Sequence, residues 1–342
     1  MNLLVAGGAG FIGSHFTRMA LEKWTDARVI VFDALTYAGN LDNLRDLWAH
    51  PRFAFHAGKV QDSTAVEGTI RAEGITHVVN FAAESHNDRS LLDPGAFIQT
   101  DVFGVFVLLE AVRRHGVERL VHVSTDEVYG SIDDGQFTEQ SPLEPNTPYS
   151  ASKAGGDLLC RAFRVSFDAP VIVTRGGNTY GPYQYPEKLI PFFVTRLIEG
   201  KKVPLYGDGN QVRQWIHARD HAAGVMAALE HGELGEVYNV ADSNERSNRE
   251  VVRVLLEETG RGEELVKPIP DPRGAAHDKR YSMDGQKLRA LGWRPEMPFE
   301  ESLRETVRWY LANEGWWRPI AEDPKYREFV RQYYGPSLGD DL

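Results

Sequence analysis

Two short runs of this chain concentrate groups that can move protons. One is Ser124-Thr125-Asp126-Glu127-Val128-Tyr129-Gly130; the other is Tyr149-Ser150-Ala151-Ser152-Lys153. Tyr149 and Lys153 are four residues apart, a spacing that puts phenol and ammonium on one face of a helix. A nearby ammonium favours the phenolate and makes a tyrosine a usable base. Asp126 and Glu127 add two adjacent carboxyl groups. Repulsion and burial can separate the titrations of such a pair, leaving one acid and one base. A capped turn after a strand would need no chemistry, but it leaves the Tyr149/Lys153 spacing unexplained.

A third run, Gly7-Gly8-Ala9-Gly10-Phe11-Ile12-Gly13, fits G-x-x-G-x-x-G between an apolar run and a helical pattern. Glycines there permit a tight turn and close approach of backbone to a pyrophosphate at the helix N-terminus. Asp33 ends the next apolar run, where a carboxylate binds the adenosine ribose hydroxyls and repels a 2′-phosphate. NAD+ is therefore expected rather than NADP. Thr36-Tyr37-Ala38-Gly39-Asn40 could wrap the adenosine, and the small residues of Phe81-Ala82-Ala83-Glu84-Ser85 would let backbone approach the cofactor.

The elements needed to position these runs are legible as a rhythm. Leu3–Ala6, Val29–Phe32, His77–Phe81, Leu120–Val123 and Val171–Thr174 read as buried strands. Ser14–Leu21, Thr64–Glu73, Thr100–His115 and Tyr149–Phe167 read as amphipathic helices between them. Alternation of this kind implies an α/β fold, a Rossmann-type doubly wound parallel sheet. The rhythm breaks near residue 175, and helices resume at Leu189–Glu199, His217–Glu230 and Asn248–Glu258. The expected division is an NAD-binding domain over 1–175, with some later segments returning to it, and a smaller, mainly substrate-binding lobe over 176–342. The aromatic-rich tail Phe299–Tyr334 reads as a helix packing into that lobe.

Composition narrows the class. The 342 residues carry 42% hydrophobic and 25% charged side chains, ordinary for a globular protein with a substantial core. A net charge of −11 without a basic block argues against nucleic acid. The single cysteine, Cys160, excludes an intrachain disulfide and suits a reducing compartment. The apolar N-terminus lacks a basic leading segment and is broken by glycines, and no stretch is expected to reach the ~20 apolar residues of a membrane span. A cytoplasmic protein is expected, with no membrane partner and no metal site.

The chain resembles the extended short-chain dehydrogenases/reductases and, more narrowly, the dTDP-glucose 4,6-dehydratases. The resemblance is carried by GGAGFIGSH (Gly7–His15), LTYAGN (Leu35–Asn40), AAESHNDRS (Ala82–Ser90), STDEVYG (Ser124–Gly130), YSASKAG (Tyr149–Gly155), NTYGPYQYPEKLIP (Asn178–Pro191), LYGDG (Leu205–Gly209) and HDKRYSMD (His277–Asp284). It implies that Tyr149 takes the proton of a sugar 4-hydroxyl while hydride leaves C-4 for NAD+, with Lys153 holding the ribose and depressing the tyrosine pKa, and Thr125 assisting at the 4-oxygen. Glu127 would then remove the C-5 proton and Asp126 protonate the departing 6-hydroxyl. Hydride return to C-6 would complete a 4-keto-6-deoxy sugar nucleotide. The cofactor set implied is Gly7, Gly10, Phe11, Ile12, Gly13, Asp33, Thr36, Ala38, Gly39, Val60, Ala82, Ala83, Tyr149, Lys153 and Asn178. On the substrate side, Asn178 would meet the pyrophosphate, Glu187, Lys188 and Leu189 line sugar and nucleotide, Pro204 and Tyr206 flank the base, and Arg213 bind phosphate, with Ser85, Thr125 and Tyr281 nearby. His86 and Arg89 receive no role.

Several positions depart from that family pattern. Lys59-Val60 replaces Asp-Ile; lysine offers the adenine amino group no acceptor, so weaker cofactor retention is expected. Gly176-Gly177 replaces a bulkier pair, Thr179 a second asparagine, Gln214 an acidic residue and Asn87 a common valine. The segment Asp271–Asp278 is about two residues longer. These changes leave the base and the hexose open: dTDP-glucose, UDP-glucose or a UDP-amino sugar. A 4-epimerase or decarboxylase is disfavoured by the carboxyl pair, and a silent NAD-binding protein by the intact catalytic set. The segments 100–115 and 149–167 are apolar nearly all round, through Val102, Phe103, Val105, Phe106, Leu108, Leu109, Leu158, Leu159 and Phe163, so more than one face must be covered. The resemblance implies a homodimer through a four-helix bundle.

Overall fold

The computed structural model describes residues 1–274 and 277–342; Ala275 and Ala276, inside the long segment 271–278, lie outside the described residues. The strands of the first half are β1 (Asn2–Ala6), β2 (Arg28–Asp33), β3 (Phe53–Ala57), β4 (His77–Asn80), β5 (Arg119–Thr125) and β6 (Val171–Gly176). Then follow β7 (Asn178–Tyr180), β8 (Val203–Tyr206), β9 (Val212–His217), β10 (Val237–Val240), β11 (Glu245–Ser247) and β12 (Val266–Ile269). A seven-stranded sheet has the order β10-β6-β5-β4-β1-β2-β3, with every pair parallel. The strand order reverses between β1 and β4, which opens a crevice at the carboxyl ends of the strands.

Side chains alternate across the sheet, as a two-residue period requires. Leu3 and Val5 face a core shared with α1 (Phe11–Lys23), whereas Leu4 and Ala6 face the core of α2 (Ser63–Glu73). After the short helices α3 (Asn87–Leu92) and α4 (Pro94–Phe97), a π-helical turn, Ile98–Phe103, leads into α5 (Gly104–His115). The second core continues over α5 and over α6 (Pro148–Phe167). Proline at N1 and a Thr147/Ser150 capping box start α6, and Asp168 ends it in a left-handed conformation.

Beyond β6 the chain builds a separate core from α7 (Leu189–Ile198), then returns. Helix α8 (Ala218–His231) packs on α1, and β10 joins the edge of the large sheet beside β6. Helices α9 (Asn248–Thr259), α10 (Gln286–Ala290), α11 (Phe299–Ala312), α12 (Glu314–Glu322) and α13 (Pro324–Leu338) complete the chain. All of these but α10 contribute apolar side chains to the α7 core.

Three expectations need correction. The aromatic tail is three helices: Asn313, at φ −121° and ψ 43°, breaks it first, and Asp323 and Pro324 restart it, the Asp323 carboxylate accepting from the backbone of Lys325 (2.8 Å) and Tyr326 (3.2 Å). β3 and β10 went unread, being short and set at the two edges of the sheet. The stretch Pro94–His115 is one 22-residue helical run apolar enough to cross a bilayer, with half of its most apolar window buried in the protein.

A buried polar cluster ties the strand ends together. Arg175 on β6 donates to Asp157 on α6 (2.8 Å) and to the Tyr129 hydroxyl (2.8 Å), which donates to Asn239 on β10 (2.8 Å). Removing one partner of a buried ion pair strands the other charge. Asp157→Ala should therefore lose about 3–5 kcal/mol in denaturant unfolding, and pairing it with Arg175→Met should recover part of that loss.

Candidate active site

The predicted residues converge. Every candidate catalytic, cofactor and substrate position lines one cavity of about 550 Å3 at the carboxyl ends of the strands. That volume suits a ligand of nucleotide size.

At one end lies the glycine loop between β1 and α1. Gly7 has φ +75°, and a Cβ there would lie 2.5 Å from the Ala82 nitrogen. A Cβ at Gly13 would lie 2.3 Å from the Gly7 carbonyl oxygen. The loop thus closes only with glycine, which explains the small Ala82 and Ala83 opposite. Gly10 caps α1 without a side-chain hydrogen bond, leaving the helix N-terminus open to an anion. Asp33 ends β2 and accepts from the Ala9 (2.9 Å) and Leu35 (2.8 Å) amides, one per carboxylate oxygen. Each oxygen keeps a lone pair for a ribose hydroxyl. Burial raises the Asp33 pKa, and those two bonds oppose the rise. A Cβ on Gly39 would lie 2.7 Å from Asp33 Oδ1, so that glycine belongs to the same pocket. Thr36, Ala38, Lys59 and Val60 line this end as well. Farther in, Asn178 on β7 has a buried Oδ1 with no hydrogen-bond partner among the described residues. The open helix terminus, the doubly held Asp33 and the unpartnered Asn178 fit NAD+.

The proton-handling groups sit at the centre. Thr125 ends β5 and caps the 3-10 turn Asp126–Tyr129, its hydroxyl accepting from the Glu127 amide (3.3 Å) and donating to Asp126 Oδ1 (3.0 Å). Asp126 is buried, and its Oδ2 has no hydrogen-bond partner among the described residues. Burial first, and the Glu127 carboxylate second, push its pKa up to about 7. Glu127 is half-buried and accepts from the Asn87 amide. Tyr149 and Lys153 lie on the buried face of α6. The expected depression of the tyrosine pKa is not found: Lys153 donates to the Val123 carbonyl (2.8 Å). Burial, with Glu127 and Asp101 nearby, holds the Tyr149 phenol well above its ordinary range, opposed by a hydrogen bond to Thr125.

The far end is walled by charged and aromatic groups. Lys188 donates to the Ser85 carbonyl, and its ammonium lies 5.8 Å from the Tyr149 ring centroid. Glu187 accepts from Arg89 (2.7 Å), whose guanidinium lies over the rings of Tyr37 (4.0 Å) and Phe329 (4.2 Å). His86 meets the Glu187 carbonyl at 3.1 Å. Residues without an assigned role thus hold Glu187 and the wall around it. Leu189, Pro204, Tyr206 and Tyr281 line the remainder. The Arg213 guanidinium is held by the carbonyls of Val212 (2.8 Å), Lys279 (3.2 Å) and Asp278 (2.8 Å) and by His277 (2.8 Å), 4.4 Å above the Tyr281 ring. Its phosphate-binding capacity is correspondingly small. Arg273, missed in the sequence, also lines the cavity and, among the described residues, its side chain spends only Nε on a protein hydrogen bond, to Asp88 (2.6 Å). Its one signal was its place in the lengthened segment 271–278.

Two of the sequence departures, Gly176 and Thr179, meet at His221, and a third, Gln214, acts separately. A Cβ on Gly176 would lie 2.2 Å from His221 Cε1, so the absent side chain makes room for that imidazole. Thr179 donates to the Gly177 carbonyl (3.0 Å) and so receives the His221 Nδ1 proton (2.8 Å). Burial lowers the His221 pKa to about 4, keeping the ring neutral. Gln214, in place of an acid, clamps the Met283 backbone, donating to its carbonyl (3.1 Å) and accepting from its amide (3.0 Å), which a carboxylate cannot do. Gly176→Ala should cost about 1–3 kcal/mol by overpacking. The loss should shrink in a His221→Ala background, a coupling read from unfolding midpoints in a double-mutant cycle.

Comparison with known proteins agrees with this geometry. The GDP-mannose 4,6 dehydratase family model matches residues 4–306. The dTDP-glucose 4,6-dehydratase of Streptomyces griseus is 48% identical, over 93% of this chain and 97% of its own. That of an Actinoplanes species is 46% identical, over 93% of this chain and all of its own. The crystal structure of DesIV, the Streptomyces venezuelae dTDP-glucose 4,6-dehydratase with NAD bound, superposes with a TM-score of 0.90 at 49% identity, over 94% of this chain and 100% of that one. By sequence and by fold, the chain belongs to the GDP-mannose 4,6 dehydratase family and, within it, to the dTDP-glucose 4,6-dehydratases.

Proposed function

We propose that this protein is a lyase that dehydrates dTDP-glucose to dTDP-4-keto-6-deoxyglucose, using NAD+ that is regenerated in each turnover. The observation that carries the reading is the Asp126/Glu127 pair. One carboxyl is sealed from water with its pKa raised to about 7, and its neighbour is half-buried in the same cavity as Tyr149. Elimination of water across C-5 and C-6 needs that combination, an acid for a poor leaving group and a base for a carbon acid.

Once bound, NAD+ would supply the acceptor and later the donor of the hydride. The glycine loop, Asp33 and Asn178 would hold it, and Lys153 would meet the ribose. Tyr149 takes the proton of the 4-hydroxyl, and Thr125 steadies the 4-oxygen. Glu127 removes the proton on C-5, made acidic by the adjacent 4-ketone. Asp126 delivers its proton to the 6-hydroxyl, which leaves as water. Glu187, Lys188, Leu189 and Tyr281 surround the sugar, Pro204 and Tyr206 flank the base, and Arg213 keeps its remaining donor toward phosphate.

Two cores support a two-lobe division, with β10 and α8 returning from the later half to the cofactor lobe. A homodimer through α5 and α6 is part of the proposal. Phe103, Phe106, Leu158, Val165 and Phe167 leave large apolar surface exposed on these neighbouring elements, more than a lone protomer covers. The same surface accounts for the bilayer-like composition of residues 94–115. The buried free thiol of Cys160 suits a reducing, cytoplasmic setting.

The test is incubation with dTDP-glucose and, separately, UDP-glucose, followed by mass spectrometry. Loss of one water from the dTDP sugar is expected; an isomer of unchanged mass overturns the reading. Glu127→Gln should abolish water loss while cofactor reduction on substrate persists, seen as a lasting nicotinamide absorbance. A rate of dehydration equal to wild type removes Glu127 from its role. Asp126 must be protonated to act, and its raised pKa keeps the proton on below about 7. The single-turnover elimination rate should therefore fall as pH rises through that value, and Asp126→Asn should slow elimination by roughly 10²–10⁴-fold.

A further inference from the structure

We propose that Asn87 is a positioning residue that locks the carboxylate of Glu127 to the N-terminus of α6, the helix that carries Tyr149. The proposal deepens the dehydratase reading above and rests on it. Asn87 opens α3 and is buried. Its Nδ2 donates to Glu127 Oε2, and its Oδ1 accepts from the Thr147 hydroxyl at 2.6 Å. The Thr147 oxygen in turn accepts from the Ser150 amide at 3.1 Å, within the capping box of α6.

The polarity of this chain is fixed by its ends. A carboxylate only accepts and a backbone amide only donates. Thr147, receiving the Ser150 proton, gives its own to the Asn87 carbonyl, so the amide nitrogen faces Glu127. The orientation of the Asn87 amide follows from its partners. Every proton in the relay points toward Glu127, and the relay begins at a helix N-terminus, which is partially positive. Such aligned bonds polarise one another.

Glu127 has no other side-chain hydrogen bond among the described residues. With Oε2 occupied by Asn87, Oε1 is the oxygen presented to the C-5 proton. Tyr149 follows Thr147 by two residues on the same first turn. The base for the 4-hydroxyl and the base for C-5 are thus referenced to one cap, and the distance between them is held as α6 breathes. Proton abstraction from carbon depends steeply on the placement of the base.

The experiment follows both half-reactions in the holoenzyme with dTDP-glucose. Asn87→Val removes the donor; Asn87→Ala removes it without adding volume or charge, and covers a valine variant that misfolds. Cofactor reduction should stay within about twofold of wild type. Incorporation of solvent deuterium at C-5 and loss of water should slow by about tenfold, the weight of one hydrogen bond, with KM unchanged. Transient reduced cofactor should then accumulate. Wild-type rates in both variants overturn the proposal, as does a raised KM at unchanged kcat, which would make Asn87 a substrate contact. A parallel fall of oxidation and elimination also overturns it, reducing Asn87 to a structural prop of α6. A wild-type protein that neither reduces cofactor nor releases water refutes the dehydratase reading itself, and this proposal with it.

Discussion

Two carboxyl groups on consecutive residues, at the end of a buried strand, cannot both carry charge without a large penalty. The rest of the site is arranged around that constraint. Asp126 is buried beside the strand ends, where desolvation and its neighbour favour the neutral acid. Glu127 points into the cavity and is met by an amide donor. The 3-10 turn that carries both is pinned at its start by the Thr125 cap and at its end by Tyr129, itself held between Arg175 and Asn239. The buried charge of Arg175 is answered by Asp157 on α6. One ion pair beneath the floor of the site therefore sets the relative placement of β6, α6 and the carboxyl turn.

The phenol obeys a different logic. The protein alone stabilises the protonated form of Tyr149, through burial and two nearby carboxylates. Lys153, directed at a backbone carbonyl, does not offset this. Positive charge brought in beside the phenol would favour its ionised form.

Much of this was legible in the sequence because the relevant signals are local. Glycine spacing, an acidic residue closing a strand, and Tyr149 and Lys153 four apart each encode a piece of geometry without help from distant contacts. All the candidate positions line the one cavity. What escaped was the part made by long-range contacts. Arg273 reaches the cavity by pairing with Asp88, 185 positions earlier in the chain. The imidazole of His221 fills space vacated by Gly176, and no pattern in either segment announces the other. The short strands β3 and β10 exist because a neighbouring edge receives them. The Tyr149 phenol ran against expectation for a related reason: spacing placed it on the same helical face as Lys153, but the depth of burial is a property of the packed molecule.

The return of β10 to the large sheet bears on how the chain is made. Until residues Val237–Val240 are available, β6 is an open edge, its backbone donors and acceptors unpaired on one side. Helix α8, which covers one face of that sheet by packing on α1, arrives only with residues 218–231. During synthesis the cofactor lobe cannot close on its own amino-terminal half. About 240 residues must leave the ribosome before its sheet and covering layer are complete. Through that interval β6, the strand that carries Arg175, keeps one unpaired edge, the kind of surface on which another chain can add a strand.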